Sequence, residues 1–218
     1  MNVDKEEIKE KFGYDWFWGF KEGAARAKKD GKYFHIGRDG KPLYAEKYDC
    51  LVGDFREGAA IAEKDGKMFH IGREGKALYE EKYDWVCNFR EGAAIVQKGK
   101  EYFHIGKDGK ALYEEKFDWV GDFREGAAIV HKGKEYFHIG REGKALYTEK
   151  YDWVGDFSEG AAIVQKGKEY FHIGRDGKAL YQERYDVVGD FSEGAAAVKK
   201  DGKWFHIGKD GKKIKVEE

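Results

Sequence analysis

Proline is almost absent from this chain: Pro42 stands alone among 218 residues. Cysteine is nearly as scarce, with only Cys50 and Cys87. The two sit at non-equivalent places in the repeats described below, so a symmetric disulfide framework is excluded and free thiols are expected. No run of about 18 apolar residues occurs, which argues against a membrane-spanning helix. The first residues carry no apolar signal core, and a cytoplasmic setting is therefore expected. Charge of neither sign prevails: 41 basic side chains face 42 acidic ones, for a formal net charge of -1. The basic excess of a nucleic-acid binder is missing. Serine occurs only at Ser158 and Ser192, so a nucleophile repeated in step with the rest of the chain is missing too.

What the chain does have is glycine, 30 residues of it, and one sentence of sequence said six times. Phe-His-Ile-Gly begins at Phe34, Phe69, Phe103, Phe137, Phe171 and Phe205. Glu-Gly-Ala-Ala begins at Glu22, Glu57, Glu91, Glu125, Glu159 and Glu193. Both step by 35 once and then by 34. The extra residue falls between Tyr48 and Phe55, where a bulge or longer turn is expected. Units of about 34 residues are too small to bury a core alone and must lean on one another.

Within a copy the pattern is β. Tyr83 to Phe89 reads as a first strand, Ala93–Gln97 as a second, Glu101–Ile105 as a third and Lys110–Glu114 as a short fourth. Glu91-Gly92, Lys98-Gly99-Lys100 and Asp108-Gly109 supply the turns. The terminal copies resemble the inner ones, where an open solenoid would carry atypical ends. Six four-stranded meanders with no spare end make a six-bladed β-propeller the expected fold, which would also hide the sheet edges. An open superhelix of stacked β-hairpins is the alternative. Residues 1–12 stand outside the repeats. Asp4 and Glu7 have capping-box spacing, and Val3 with Ile8 fits a hydrophobic staple, so a short helix capping the array is expected there. Residues 13–218 then form a single six-repeat β domain.

The phrases Tyr-Asp-x-Val-x-x-Phe-x-Glu-Gly-x-Ala and Asp-Gly-Lys-x-x-x-Ile resemble the bacterial WG-repeat family, also called KWG repeats, over about Phe12 to Val216. A departure is Tyr102-Phe103-His104-Ile105, where family members often carry Trp/Tyr-Gly-Tyr-Ile. The order of signals is also similar to WD-type propeller blades, in which a His–Asp network braces the strands. The WG resemblance implies a repeat scaffold and carries over no catalytic residue. Neighbouring copies are nearly identical, which fits either recent duplication or an engineered symmetric version.

Two constellations recur in step. The first is one imidazole and one carboxylate per copy: His35, His70, His104, His138, His172 and His206, with Asp15, Asp49, Asp84, Asp118, Asp152 and Asp186. Six symmetry-related imidazoles reach one metal ion only near an axis, within about 2 to 2.3 Å of it. These lie in the third strand, so structural bracing is expected, with no metal and no cofactor. His131, at a turn, reads as solvated. The second constellation is aromatic. Tyr44, Tyr79, Tyr113, Tyr147 and Tyr181 read as core between copies. Trp16, Trp85, Trp119 and Trp153 are the candidate ligand-contact aromatics, with Asp122 or Asp156 as polar neighbours. The expected function is a non-catalytic, monomeric scaffold or binding module for a protein partner. A lectin-like, multivalent carbohydrate-binding propeller is the alternative, and neither nucleic acid nor membrane is an expected partner.

Overall fold

A computed structural model describes residues 5–51 and 53–214. The chain divides into two compact units, Met1–Ala111 and Leu112–Glu218, each described by itself. The first unit holds a helix, Lys5–Phe12, and three antiparallel sheets. These are Trp16–Phe17, Ala24–Lys29 and Lys32–Gly37; Cys50–Leu51, Ala60–Lys64 and Lys67–Ile71; and Trp85–Val86, Ala94–Lys98 and Glu101–Ile105. The second unit holds three more: Trp119–Val120, Ala128–Lys132 and Glu135–Ile139; Trp153–Ser158, Ala161–Lys166 and Glu169–Ile173; and Val187–Val188, Ala195–Lys200 and Lys203–Gly208. Every sheet is a meander in chain order. The fold is all-β, in six tandem β-propeller-like repeats.

The turns follow from the residues. Glu91 and Gly92 both have positive φ, 49° and 71°, and Arg90 and Ala93 exchange backbone hydrogen bonds around them. This is a two-residue hairpin of the type whose twist matches its strands. The next hairpin comes in two versions. Asp30-Gly31, Asp65-Gly66 and Asp201-Gly202 have positive φ at both residues, whereas at Gly99, Gly133 and Gly167 only the glycine does, so three repeats use an Asp-Gly turn and three a Gly-first turn.

Two of the expected four strands differ from expectation. The first is two residues long in five of the sheets, Trp85–Val86 for example; in the fifth it runs on to Ser158, with a register shift between Val154 and Phe157 after which Phe157 pairs with Ala162. The fourth shrinks to isolated bridges, Ile105 with Ala111 in the third repeat, for example. The linking segment then rejoins the sheet at one further point, such as Met68 with Tyr83. The blades are therefore three-stranded with an irregular outer edge. Val52, in the inserted stretch, and Lys215-Val216, read as part of a last strand, lie outside the described residues, as do Val3 and Asp4 of the predicted cap.

Burial runs along the strands rather than alternating across them. Ala94, Ile95 and Val96 are buried and Gln97 and Lys98 progressively less so, while Glu101–Ile105 runs the opposite way. Each sheet is thus covered on both faces at its alanine end and more open toward its second hairpin, because neighbouring repeats pack most closely at the alanine end. The contact there is close. A Cβ on Gly177 would lie 2.5 Å from Cβ of Tyr147, and Tyr44, Tyr79, Tyr113 and Tyr181 press in the same way on Gly75, Gly109, Gly143 and Gly211. At Gly40 of the first repeat the place is taken by Phe12 and Ile8 of the helix. That helix stops at Gly13, φ 61°, with the Tyr14 N–H bonded to the Lys9 carbonyl, a Schellman ending. Tyr14 then donates to the Gly40 carbonyl at 2.7 Å.

A paired substitution tests this contact. Gly160→Ala, φ 74° with open space around it, is expected to lose about 1 kcal/mol from left-handed strain alone. Gly177→Ala, φ 76° against the Tyr147 ring, is expected to lose about 3 kcal/mol because overpacking is added. Urea denaturation of the two variants measures the difference, and equal losses would show that the ring contact is not tight.

Candidate functional site

The recurring histidines are structural in their surroundings. His35, His70, His104, His138 and His172 are buried, each with 1% or less of its surface exposed. At His172, Nδ1 lies 2.6 Å from the Tyr181 hydroxyl and the backbone N–H donates to the same hydroxyl at 3.2 Å. Nε2 lies 2.9 Å from the Gly189 carbonyl of the following repeat. A carbonyl can only accept, so Nε2 carries the proton, and the tyrosine O–H donates to Nδ1. The same pair of contacts joins His138 to Tyr147 and Gly155, and His70 to Tyr79 and Cys87. The ring rests on a phenylalanine of that following repeat, His70 on Phe89 at 4.3 Å and His172 on Phe191 at 4.4 Å. His35 keeps Tyr44 and Phe55. Its Nε2 makes no well-formed hydrogen bond among the described residues, although the Gly53 carbonyl lies close enough to favour its charged form. The repeat it faces is the one that carries the insertion.

The expected His–Asp pairing is not what forms. Asp84, Asp118, Asp152 and Asp186 are exposed and Asp49 half-buried. Their carboxylates accept from the backbone of the second hairpin: Gly99, Gly133 and Gly167 donate to Asp84, Asp118 and Asp152 at 2.7 Å each. Lys67 adds an ion pair to Asp84 at 2.5 Å. Asp15 is exposed as well. The imidazole takes tyrosine because the tyrosine lies nine residues on and folds back over the same strand, whereas the aspartate starts its strand at the open hairpin end. His206 also departs from its set and is exposed. Among the described residues no group of three or more His, Cys, Asp or Glu could hold a metal ion. Neither Cys50 nor Cys87 is in a disulfide among the described residues.

A second recurring carboxylate went unread in the sequence. Glu57, Glu125 and Glu159 occupy the left-handed first position of the first hairpin, at φ of 47°, 50° and 51°. Their side chains reach the next repeat's turn, where Gly92, Gly160 and Gly194 donate to them at 3.0, 3.1 and 3.0 Å. Their carbonyls accept from a cation of that repeat, Lys107 on Glu57 at 2.7 Å, Lys209 on Glu159 at 2.6 Å, and Arg175 on Glu125. The available signal was glutamate held in all six copies at a position where asparagine or glycine relieves strain.

The exposed aromatics lie at the opposite, hairpin end. Trp16, Trp85, Trp119 and Trp153 are 42, 41, 45 and 42% exposed, each opening the first strand of its sheet. Cys50 and Val187 hold the equivalent places in the second and sixth sheets. The Trp119 and Trp153 rings fold back over Gly121 and Gly155, where a Cβ would lie 3.1 Å from the ring edge. In the second unit this leaves a groove of about 470 Å³ lined by Trp119, Ile129, Tyr136, Trp153, Gly155 and Asp156. Asp156 is bound by Arg124 at 2.9 Å. The groove combines two open indole faces, a phenol and a carboxylate, a set suited to binding rather than to bond-making.

Tandem meanders of this kind form a binding or scaffold module. The model of the WG containing repeat matches residues 6–33, 71–102, 105–136, 139–170 and 173–204, well over half of the chain, and the chain belongs to that family. The unmatched residues 34–70 include the insertion and Cys50, where the tryptophan is lost. No curated protein sequence matches the chain. Among solved structures, Hsv2 of Kluyvelomyces marxianus is similar at 10% identity and a TM-score of 0.49, over 90% of this chain and 71% of that one. Hsv2p of Kluyveromyces lactis is similar at 9% and 0.45, over 90% and 74%. YCF48 bound to D1 peptide is similar at 10% and 0.41, over 82% and 73%. No helix of the described residues is long and apolar enough to cross a membrane.

The histidine clamp has a pH signature. Burial holds His35, His70 and His138 down to about 4, against the carbonyl contacts, which act the other way. The unfolded chain takes up these protons near pH 6.5. Stability is therefore complete above pH 6.5 and falls as pH drops toward 4, by on the order of 3 kcal/mol for each such histidine. Urea midpoints measured from roughly pH 7.5 down to pH 4 should hold nearly level to about pH 6.5 and fall from there; a flat profile would refute the neutral clamp. At neutral pH, Tyr181→Phe removes the partner of both His172 Nδ1 and the His172 N–H, and is expected to lose about 1–3 kcal/mol.

Proposed function

We propose that this chain is a non-catalytic interaction module that binds a protein partner through the exposed tryptophans of its units. The observation that carries the reading is the contrast in exposure. Most of the recurring phenylalanines and tyrosines are buried, while Trp16, Trp85, Trp119 and Trp153 each stay more than two-fifths exposed at matching places. Large amphipathic rings on a rigid sheet give contact area at low entropic penalty, which is why such side chains dominate interfaces. The non-catalytic part rests on the imidazoles. At His70, His138 and His172 both ring nitrogens are engaged in the core, so they have no free valence for substrate. The balanced charge favours a protein partner over nucleic acid. Two cysteines outside any disulfide among the described residues favour a reducing, cytoplasmic setting.

One observation favours a second reading, carbohydrate. The groove between Trp119 and Trp153 offers indole faces beside Asp156 and Tyr136, and a sugar presents an apolar face and hydroxyls to such a set.

A peptide library and a glycan array probed with wild type and with the Trp119→Ala/Trp153→Ala pair separate the two. Peptide binders weakened at least about tenfold by the pair support the protein reading. Glycan binders weakened in the same way select the second. Binders of either kind that ignore the pair would remove Trp119 and Trp153 as the site.

A further inference from the structure

The sixth sheet ends its unit with a face unlike the others. His206 is exposed, although its five equivalents are buried. Trp204, on the same face, is 59% exposed. Ala197 is half-buried where Ile61, Ile95, Ile129 and Ile163 are buried. Glu193 keeps the strained left-handed φ of its set, 53°, yet neither its carboxylate nor its carbonyl accepts a hydrogen bond among the described residues. In Glu57, Glu125 and Glu159 both do.

The first sheet presents the other half of that interface. Gly23 is the equivalent of Gly92, Gly160 and Gly194, which donate to the preceding repeat's glutamate. Its N–H has no acceptor among the described residues. Arg38 is the equivalent of Lys107, Arg175 and Lys209, which donate to that glutamate's carbonyl. It is exposed and without a partner among the described residues. Phe20 is half-buried where Phe55, Phe89, Phe157 and Phe191 are buried under a histidine. Trp18 supplies the carbonyl that corresponds to those of Cys87, Gly155 and Gly189.

We propose that a second copy of this chain docks its first repeat on the sixth sheet, head to tail, reproducing the interface that joins successive repeats within each unit. Glu193 then accepts from the Gly23 N–H and from Arg38. His206 Nε2 donates to the Trp18 carbonyl and its ring rests on Phe20. The sequence provides for the one piece that differs. Position 215 holds lysine where the other repeats have the tyrosine that fills the next repeat's glycine turn. At Gly40 that slot is already occupied by Phe12 and Ile8, so the docked repeat needs no tyrosine from its neighbour. The contact is heterologous, and copies can therefore add in sequence. This inference is independent of the proposed tryptophan site, and it departs from the monomer expected from sequence.

Sedimentation velocity of the full chain tests it, from about 1 to about 500 µM, a range that spans weak association, at low salt where charge pairing is least screened. The average mass of wild type should rise with concentration. Arg38→Glu and Glu193→Lys alter exposed side chains of the first and sixth repeats and should each stay monomeric, at least about tenfold weaker in association. An equimolar mixture of the two should associate again, because the unaltered sixth sheet of Arg38→Glu meets the unaltered first repeat of Glu193→Lys. Three outcomes overturn the proposal: wild type monomeric throughout, a mixture no more associated than its components, or Arg38→Glu associating as wild type does, which would mean sixth sheets pairing with each other.

Discussion

Each unit depends on a neutral imidazole held between two repeats. A 34-residue meander has two faces and too little chain to cover either. Its covered end must therefore be finished by the next copy, and a purely apolar seam would leave the register between copies loosely defined. The histidine defines it. Its Nδ1 is fixed by a tyrosine of its own repeat, its Nε2 by a backbone carbonyl of the next, and its ring by that repeat's phenylalanine. A buried polar group with every valence engaged penalises any slip, because a slipped histidine would be stranded without partners. The glutamate turn adds a second fixed point at the rim. It accepts left-handed strain of about 1–2 kcal/mol to place its carboxylate on the neighbouring turn.

The period, the all-β class, the hairpin turns and the family were legible in the sequence, because each is a local pattern. Asp-Gly and Glu-Gly turns announce themselves by φ preference, and a repeat of 34 announces itself by identity. The partner of the histidine was not legible. Tyrosine and aspartate each recur once per copy, and spacing along the chain cannot tell which one the fold carries toward the covered end. The fourth strand was misjudged for a related reason. Ala111-Leu112-Tyr113 has strand-like composition, but Tyr113 leaves the ladder to press on Gly143, and packing on the next turn overrides pairing.

Copy-to-copy identity also concealed where the copies differ in role. His206 is written in the same phrase as His172, and only the surroundings separate an exposed imidazole from a buried one. The helix Lys5–Phe12 shows the converse. Its sequence has nothing in common with a repeat, yet Phe12 and Ile8 occupy at Gly40 the position that tyrosines occupy elsewhere. Equivalence in this protein is a property of sites rather than of residues.

The gradient of burial along the strands explains why one molecule can have both a rigid scaffold and an open aromatic surface. Were the sheets covered evenly, period-two alternation would place every inward ring in the core and leave only polar residues outside. Here both faces are buried at the alanine end, and both open toward the hairpins. Trp85 and Ile95 share a face, since Trp85 pairs with Gln97 and Ile95 lies two residues before it. Ile95 is 8% exposed and Trp85 41%. The same face thus anchors the seam at one end and presents an indole at the other. Loss of the ring at Cys50 and Val187 leaves their sheets formed and paired, so the tryptophan is not required to build a blade. A large apolar ring that the fold does without, kept at four of six equivalent places, is the feature on which the proposed binding role rests.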